Sequence, residues 1–204
     1  MPIDYLHNHK DFPALLNIVS DETGIQAGLV EKDYWIMHVL YGLKQQGFEF
    51  ELKGGTSLSK GYHIIDRFSD DIDIHIKPPA NIGINENPKN NKPNNIEARK
   101  RFYDWLAQEI NIDEINHGER DHAFDDIVSY WSGGVRLIYQ NKTEAIAGVK
   151  DCILLEAGFD KVTHNVKLTI SSWAYDKAKT TGGIDIIYNR VFNFTIFNWE
   201  PSHG

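Results

Sequence analysis

The segment LKGGTSLSKGYHIIDRFSDDIDIHI, residues 52–76, contains the pattern on which the fold prediction depends. A strand with alternating apolar and polar residues ends at the start of this segment, and a Gly54-Gly55 turn follows. The last residues of the segment form a second strand, which contains Asp71 and Asp73. Alternate residues of a strand share a face, so these two carboxylates point the same way, with Cα atoms roughly 6.5 Å apart. The segment predicts two strands joined through a glycine turn and a short helix, with an acidic pair on one face.

The glycine turn and the acidic pair together predict a site for nucleotide phosphates and a divalent metal. Glycines let backbone N–H groups approach phosphates, and the start of a helix favours anions. Lys53, Thr56 and Ser57 add an ammonium group and two hydroxyl groups beside Gly54 and Gly55. Neighbouring carboxylates repel one another without a cation, and hard oxygen ligands favour Mg²⁺ or Mn²⁺ over zinc. An isolated Asp-x-Asp pair can equally lie on a solvated strand face, so the preceding turn is what favours a site.

The composition is that of a globular protein without disulfides. Its 204 residues, 41% of them hydrophobic, are enough for one domain with a real core. The net charge of −8 disfavours general nucleic-acid binding, so an RNA substrate would need a local basic patch or a further segment. Cys152 is the only cysteine and lies in an apolar run, where we expect it to be buried in a protein of a reducing compartment. Because we see neither a leader nor an apolar run of about 20 residues, we expect a cytoplasmic protein.

Helical patterns dominate the first part of the chain and strand patterns the rest. This order predicts an α+β fold with a central mixed β-sheet flanked by helices. We predict a single domain over residues 1–204, with an N-terminal helical segment over 1–47, a sheet-bearing core over 48–200 and a mobile loop over 77–95. The predicted helices lie near residues 12–19, 26–45, 56–63 and 96–110, and the predicted strands over 48–52, 70–76, 135–139, 151–157, 166–170, 184–188 and 192–197.

Two motifs in order resemble a known family. Gly-Gly-Thr at 54–56 followed by Arg-Phe-Ser-x-Asp-Ile-Asp at 67–73 resembles the signature of the AbiEii/AbiGii toxin-type nucleotidyltransferases, a branch of the DNA polymerase β-like nucleotidyltransferase superfamily. Val-Glu-Lys-Asp-Tyr-Trp at 30–35 is similar to that family's N-terminal pattern. The resemblance is strong over residues 28–76 and compatible to about 175. It implies the nucleotidyltransferase fold and metal-dependent transfer of a nucleotide from a nucleoside triphosphate to an acceptor.

The resemblance also implies a third carboxylate on a later strand. We choose Glu156, inside the apolar segment 153–157, because an acid in such a strand requires a reason. An edge-strand glutamate that reaches solvent is the alternative, and Asp151 and Asp160 are weaker rivals. Together with the acidic pair, Glu156 would hold two metal ions roughly 4 Å apart and complete the acceptor side. The predicted catalytic and metal-binding residues are Asp71, Asp73 and Glu156.

Further residues near these motifs are candidates for roles in the site. Arg67 either holds a phosphate as a planar fork or fixes the acidic loop, and Lys60 either points at the triphosphate or is solvated. The charged residues at 31–33 are candidates for the wall of the site. The predicted nucleotide-binding residues are Lys53, Gly54, Gly55, Thr56, Ser57, Arg67 and Ser69.

The implied function is that of the toxin in a bacterial toxin–antitoxin or phage abortive-infection pair. Its acceptor would be RNA, such as a tRNA 3′ end, and its partner a cognate antitoxin. Relatives continue into a helical region that opens with a Thr-Phe-x-Glu-Lys-like element, whose lysine helps bind the triphosphate, whereas this sequence ends near where that region would begin. A truncated nucleotide- or partner-binding module is therefore an alternative. A haloacid-dehalogenase-like phosphatase or a sugar-nucleotide transferase is a third; the phosphatase expects Thr or Val soon after its aspartate, where this chain has Ile74-His75.

Overall fold

The computed structural model of the chain describes residues 5–65, 68–161, 165–181 and 192–197. These residues form helices and one mixed sheet, which confirms the α+β prediction. The helices are α1 (Phe12–Thr23), α2 (Ala27–Gln45), α3 (Gly54–Thr56), α4 (Pro93–Glu109) and α5 (Trp173–Thr180). The strands are β1 (Phe50–Lys53), β2 (Asp71–Ile76), β3 (Ile115–Asp121), β4 (Ser132–Tyr139), β5 (Cys152–Gly158), β6 (Asn165–Ile170) and β7 (Phe192–Phe197).

The sheet places β2, which contains the acidic pair, at its centre. The strand order is β3-β4-β5-β2-β1-β7-β6. β2 pairs antiparallel with β1 and parallel with β5, and β1 in turn pairs parallel with β7. The remaining pairs in this sheet are antiparallel. Any side chain on β2 therefore has neighbours on β1 and on β5, two strands about 100 residues apart in the sequence.

One face of the central strands forms the core and the other bears the polar residues. Leu52, Ile74 and Ala157 are register partners across β1, β2 and β5, and all three are fully buried. On the same face the ring of Tyr103 from α4 lies against Gly133, where an added Cβ would be 2.7 Å from a ring carbon. Because alternate residues point to opposite faces, the helix-covered core leaves the aspartates of β2 on the other side.

Helix α2 is more deeply buried than its sequence pattern indicated. Its mixture of apolar and charged residues is typical of an amphipathic helix with one solvated face, but residues 30–43 are buried throughout, including the charged residues 31–33. α1, α5 and β5 surround the helix and leave it no solvated face. No helix among the described residues is long and apolar enough to cross a membrane.

Glu31 ties α2 to the loop between β4 and β5. Its side chain is among the most buried charged groups in the described structure, and its carboxylate accepts hydrogen bonds from the backbone N–H groups of Lys142 and Thr143 at 2.7 and 2.8 Å. The Thr143 hydroxyl and the Trp35 indole also donate to it. The loop that leads into β5 is thus attached to the central helix by a buried side chain.

Replacing Glu31 with alanine is expected to lower the free energy of unfolding by about 3 kcal/mol, because several donors would lose their acceptor. Urea denaturation measures the change. Glu144→Ala is the matched control, since this exposed glutamate is on the same loop, and we expect it to cost no more than about 0.5 kcal/mol. Equal stability of the two variants would contradict the bracing role of Glu31.

Two elements of the described structure were not predicted. Residues 115–121 form edge strand β3, which is not among the predicted strands; an edge strand pairs on one side only, and residues 116–121 lack apolar alternation. α5 lies in a part expected to contain only strands. Its signal was Ser172, whose side chain caps the helix by accepting from the Tyr175 N–H at 3.1 Å.

The short helix after the glycine turn also begins earlier than predicted, at Gly54, and continues as a π-helical turn over Ser57–Gly61. The predicted strand 184–188 lies outside the described residues. Helix α4 begins at Pro93, within the predicted loop 77–95, and its buried Arg99 donates hydrogen bonds to the Asn90 carbonyl and the Asn91 side chain of the loop before it. The domain boundaries and the mobility of this loop stay predictions.

Candidate active site

The acidic pair and Glu156 lie on the same face of the sheet. In the parallel pairing of β2 with β5, Asp73 is the register partner of Glu156. Asp71 is one step along the same face, opposite Leu154. On the other side of β2, Lys53 of β1 is the antiparallel partner of Asp73. The sequence spacing predicted that the two aspartates share a face, and the strand order places Glu156 and a lysine beside them.

Both rivals of Glu156 lie at the ends of its strand. Asp151 precedes β5 and is exposed. Asp160 follows β5 and accepts a hydrogen bond from the Trp131 indole at 2.7 Å. Glu156 is the acid within β5 that has an aspartate of β2 as its register partner. This geometry supports the choice of Glu156 as the third carboxylate.

Burial and mutual repulsion make the site unfavourable for negative charge. Desolvation raises the pKa of Asp73, and Asp71 raises it further while Lys53 opposes the shift. Desolvation also raises the pKa of Glu156, with added repulsion from both aspartates and opposing effects from Lys150 and Lys53. Bringing a cation to this face would therefore relieve an existing electrostatic cost.

Gly54 touches Asp73 of the acidic pair directly. Its φ of 68° lies in the left-handed region, which favours glycine. A Cβ on this residue would lie 2.0 Å from Oδ2 of Asp73 and 2.6 Å from its Cγ. The glycine turn therefore meets the carboxylate at a distance that no side chain allows. Gly54 is exposed and Gly55 half-buried, so the turn borders solvent beside the carboxylates.

Thr56 and Ser57 brace this turn. The Thr56 hydroxyl donates to the backbone carbonyl of Asp71 at 2.7 Å, which joins the helix start to the start of β2. The Ser57 hydroxyl donates to the Gly54 carbonyl at 2.8 Å. Both residues are buried. Their contact with a nucleotide stays a prediction, and these two hydrogen bonds assign them a structural role in the turn.

The Arg-Phe-Ser element is only partly within the described residues. Arg67 lies outside them, so its two alternative roles stay open. Ser69 lines a cleft of about 470 Å³ together with Lys60 and Trp173. That cleft does not include the three carboxylates. The acidic residues lie on an open sheet face beside it, so we base the candidate site on the carboxylates and not on the cavity.

Lys60 is a largely covered ion-pair partner of α2, which corrects the alternative of a solvated lysine. Its side chain is 13% exposed, and its ammonium lies 2.6 Å from a carboxylate oxygen of the buried Asp33. The Lys60 ammonium also lies 4.0 Å from the centroid of the Trp173 ring, and the backbone N–H of Trp173 donates to Asp33 at 2.8 Å. Desolvation raises the pKa of Asp33, and Lys60 opposes that shift. Asp33 thereby joins the helix after the glycine turn to α5.

Lys150 is a residue of this site that the sequence did not indicate. Its ammonium lies 3.2 Å from Oδ1 of Asp71 and 4.6 Å from the centroid of the Phe124 ring. Its backbone carbonyl accepts a hydrogen bond from the ammonium of buried Lys32 at 2.8 Å. The sequence signal for this role was only the position of Lys150, directly before the predicted strand 151–157 that contains Glu156. Its contact with Asp71 depends on pairing between strands far apart in sequence.

The chemistry of the donors fits a hard divalent metal. Three carboxylates on adjacent strands offer oxygen ligands, and the raised pKa values of Asp73 and Glu156 mark a place where positive charge is favourable. Within residues 5–65, 68–161, 165–181 and 192–197, however, no group of three or more Asp, Glu, His or Cys side chains is arranged to hold a metal ion. Asp71 instead contacts Lys150.

An acidic pair beside a glycine turn, with a third acid on the adjacent parallel strand, is the arrangement we predicted for nucleotidyl transfer. A family model described as nucleotidyl transferase AbiEii toxin, type IV TA system, matches residues 38–186. The chain therefore belongs to the AbiEii nucleotidyl transferase toxin family, as the resemblance indicated. The match contains the whole predicted site and begins after the charged residues 31–33. No curated protein matches the chain.

Proposed function

We propose that this protein is a metal-dependent nucleotidyltransferase toxin that transfers a nucleotide from a nucleoside triphosphate to an RNA acceptor. The observation on which the proposal depends is the pairing of Asp73 with Glu156 beside Asp71 and the Gly54 turn, within the segment that matches the family. Nucleotidyl transfer needs a place for phosphates next to a place for metal, and these residues offer both on one face of the sheet.

Each side chain of the site has a role in this scheme. The exposed backbone at Gly54 and the ammonium of Lys53 bind the phosphates. Asp71, Asp73 and Glu156 hold Mg²⁺ or Mn²⁺, which when bound supplies positive charge that neutralises charge developing on the reacting phosphate. Glu156 accepts the proton of the acceptor hydroxyl. The acceptor oxygen bonds to the α-phosphorus as the α–β anhydride bond breaks, and pyrophosphate leaves.

The family suggests the acceptor and the partner, and the net charge limits how RNA can bind. A toxin of a type IV system has an antitoxin, and we propose a cognate antitoxin for this chain as well. RNA, such as a tRNA 3′ end, supplies the acceptor hydroxyl. A net charge of −8 offers RNA little general attraction, so binding depends on local cations such as Lys53 and Lys150 on the site face.

The test of this function is incubation with each labelled nucleoside triphosphate, total tRNA, and Mg²⁺ or Mn²⁺. We expect label to enter RNA from at least one triphosphate and to be lost when EDTA removes the metal. Nucleotide binding without labelled RNA, under all four triphosphates and both metals, would contradict transfer to RNA. That result would favour the alternative of a binding module.

A further inference from the structure

We propose that Lys150 is a phosphate-binding residue of the nucleotide site, and that without substrate its ammonium occupies the position of a cation against Asp71. This inference rests on the proposed function, because it presumes that metal and triphosphate meet at the three carboxylates. It assigns a role to a residue in the loop before β5 that neither the sequence pattern nor the family description indicated.

The ammonium of Lys150 lies between two side chains of the site face. It is 3.2 Å from Oδ1 of Asp71 and 4.6 Å from the centroid of the Phe124 ring. The Phe124 segment lies over β4, because a Cβ on Gly134 would be 2.8 Å from Cβ of Phe124. Gly134 is itself the register partner of Glu156. Lys150 therefore stands beside the carboxylates and not at a remote edge of the sheet.

The backbone of Lys150 is anchored, so its side chain can move without the loop. The ammonium of Lys32, which is 1% exposed, donates to the Lys150 carbonyl. Burial lowers the pKa of Lys32, with Asp70 opposing that shift. Glu31 holds the other end of the same loop at residues 142–143. Two neighbouring residues of α2 thus fix both ends of the loop.

The Lys150 side chain itself remains accessible. It is 40% exposed, and its partner oxygen on Asp71 belongs to a side chain that is 26% exposed. An ion pair of this kind is weak and exchanges readily. A divalent metal that binds Asp71 would displace and repel the ammonium. A triphosphate would offer the displaced ammonium a new anionic partner on the same face.

This arrangement has a consequence that a purely structural lysine does not share. Lys150 opposes metal binding when no nucleotide is present, and it favours nucleotide binding. Removing its charge should therefore change the two affinities in opposite directions. Because such coupling is reciprocal, bound nucleotide should also raise the affinity of the site for metal, since its phosphates draw the Lys150 ammonium away from Asp71.

The experiment compares Lys150→Met with the unchanged protein in two binding measurements. Titration with Mn²⁺ alone, followed by electron paramagnetic resonance, should show about threefold tighter binding by the variant. Calorimetric titration with each of the four α,β-methylene nucleoside triphosphates in saturating Mn²⁺ should show about tenfold weaker binding. Lys142→Met, an exposed lysine on the same loop, is the matched control and should change neither affinity.

The outcomes separate this inference from the proposed function. Parallel weakening of both affinities would overturn the inference and make Lys150 a support for Asp71, and so would no change in either. If the unchanged protein binds no Mn²⁺, the metal site of the proposed function fails and the inference fails with it. Opposite shifts in a protein that labels no RNA would sustain the role of Lys150 and overturn transfer alone.

Discussion

Nucleotide transfer is expected to fall by at least about 1,000-fold when Asp71 and Asp73 are both replaced by asparagine. The two side chains share one face of β2, beside Glu156 of β5 and the Gly54 turn. Asparagine keeps the size of each side chain but removes the negative charge that a divalent metal requires. The measurement is incorporation of labelled nucleotide into RNA under the conditions that give label with the unchanged protein.

The same double replacement should leave the protein folded. Desolvation and the neighbouring Asp71 raise the pKa of Asp73, so its charge is already unfavourable in the folded state. Asparagine removes that cost, and we expect a melting temperature equal to or above that of the unchanged protein. Thermal unfolding followed by circular dichroism checks this point. The matched control is Asp151→Asn, an exposed aspartate just before β5, which should keep full transfer.

Three results would contradict this assignment. Retained transfer in the double variant would mean that the chemistry takes place elsewhere in the chain. Loss of transfer in Asp151→Asn, with Asp71 and Asp73 unchanged, would move the acidic centre to the start of β5. A large drop in melting temperature of the double variant would instead assign the acidic pair a structural role.

The acidic pair could be predicted because its geometry is local. Side chains two apart on a strand share a face whatever the rest of the chain does, so Asp71 and Asp73 follow from spacing alone. Gly54 is similar, since a glycine between a strand and a helix indicates a backbone that other residues disfavour. The choice of Glu156 combined the third carboxylate that the family resemblance implies with the observation that an acid inside an apolar strand requires a reason.

The contacts between distant segments could not be predicted in the same way. Lys150 meets Asp71 because β5 pairs with β2, and no pattern in either strand specifies that partner. Residues 31–33 looked like a charged helix surface, although each is buried: Glu31 and Lys32 hold the two ends of the loop between β4 and β5, and Asp33 holds α5. Sequence periodicity tells which face of a helix is apolar. It does not tell which polar groups find partners inside the fold.

Replacing Gly54 with alanine should reduce transfer by at least about 100-fold, because it displaces Asp73. The new Cβ would lie 2.0 Å from Oδ2 of that carboxylate, a distance that non-bonded atoms do not adopt. Either the Asp73 side chain rotates away from the site or the turn moves off β2. Both changes separate the glycine turn, which we propose binds the phosphates, from the carboxylates, and positioning of this kind dominates phosphoryl-type transfer.

The positive φ of Gly54 adds a second cost, which the control must separate from the first. Gly83 has a φ of 69°, against 68° for Gly54, and a Cβ on it would meet nothing within 4 Å. Gly83→Ala therefore imposes the same left-handed conformation on alanine, at a cost of roughly 1–2 kcal/mol, without touching the site. We expect Gly83→Ala to lose about this much unfolding free energy, Gly54→Ala to lose more because of the added clash with Asp73, and only Gly54→Ala to lose transfer.

The affinity for Mn²⁺ distinguishes the two routes by which Gly54→Ala could act. If Asp73 rotates away, the variant binds Mn²⁺ more weakly than the unchanged protein, while Gly83→Ala binds it equally well. If the turn moves instead, Mn²⁺ binding is retained and binding of the α,β-methylene triphosphates weakens. Full transfer by Gly54→Ala would contradict the close contact between the glycine turn and Asp73, because an alanine cannot occupy that position while Asp73 keeps its place.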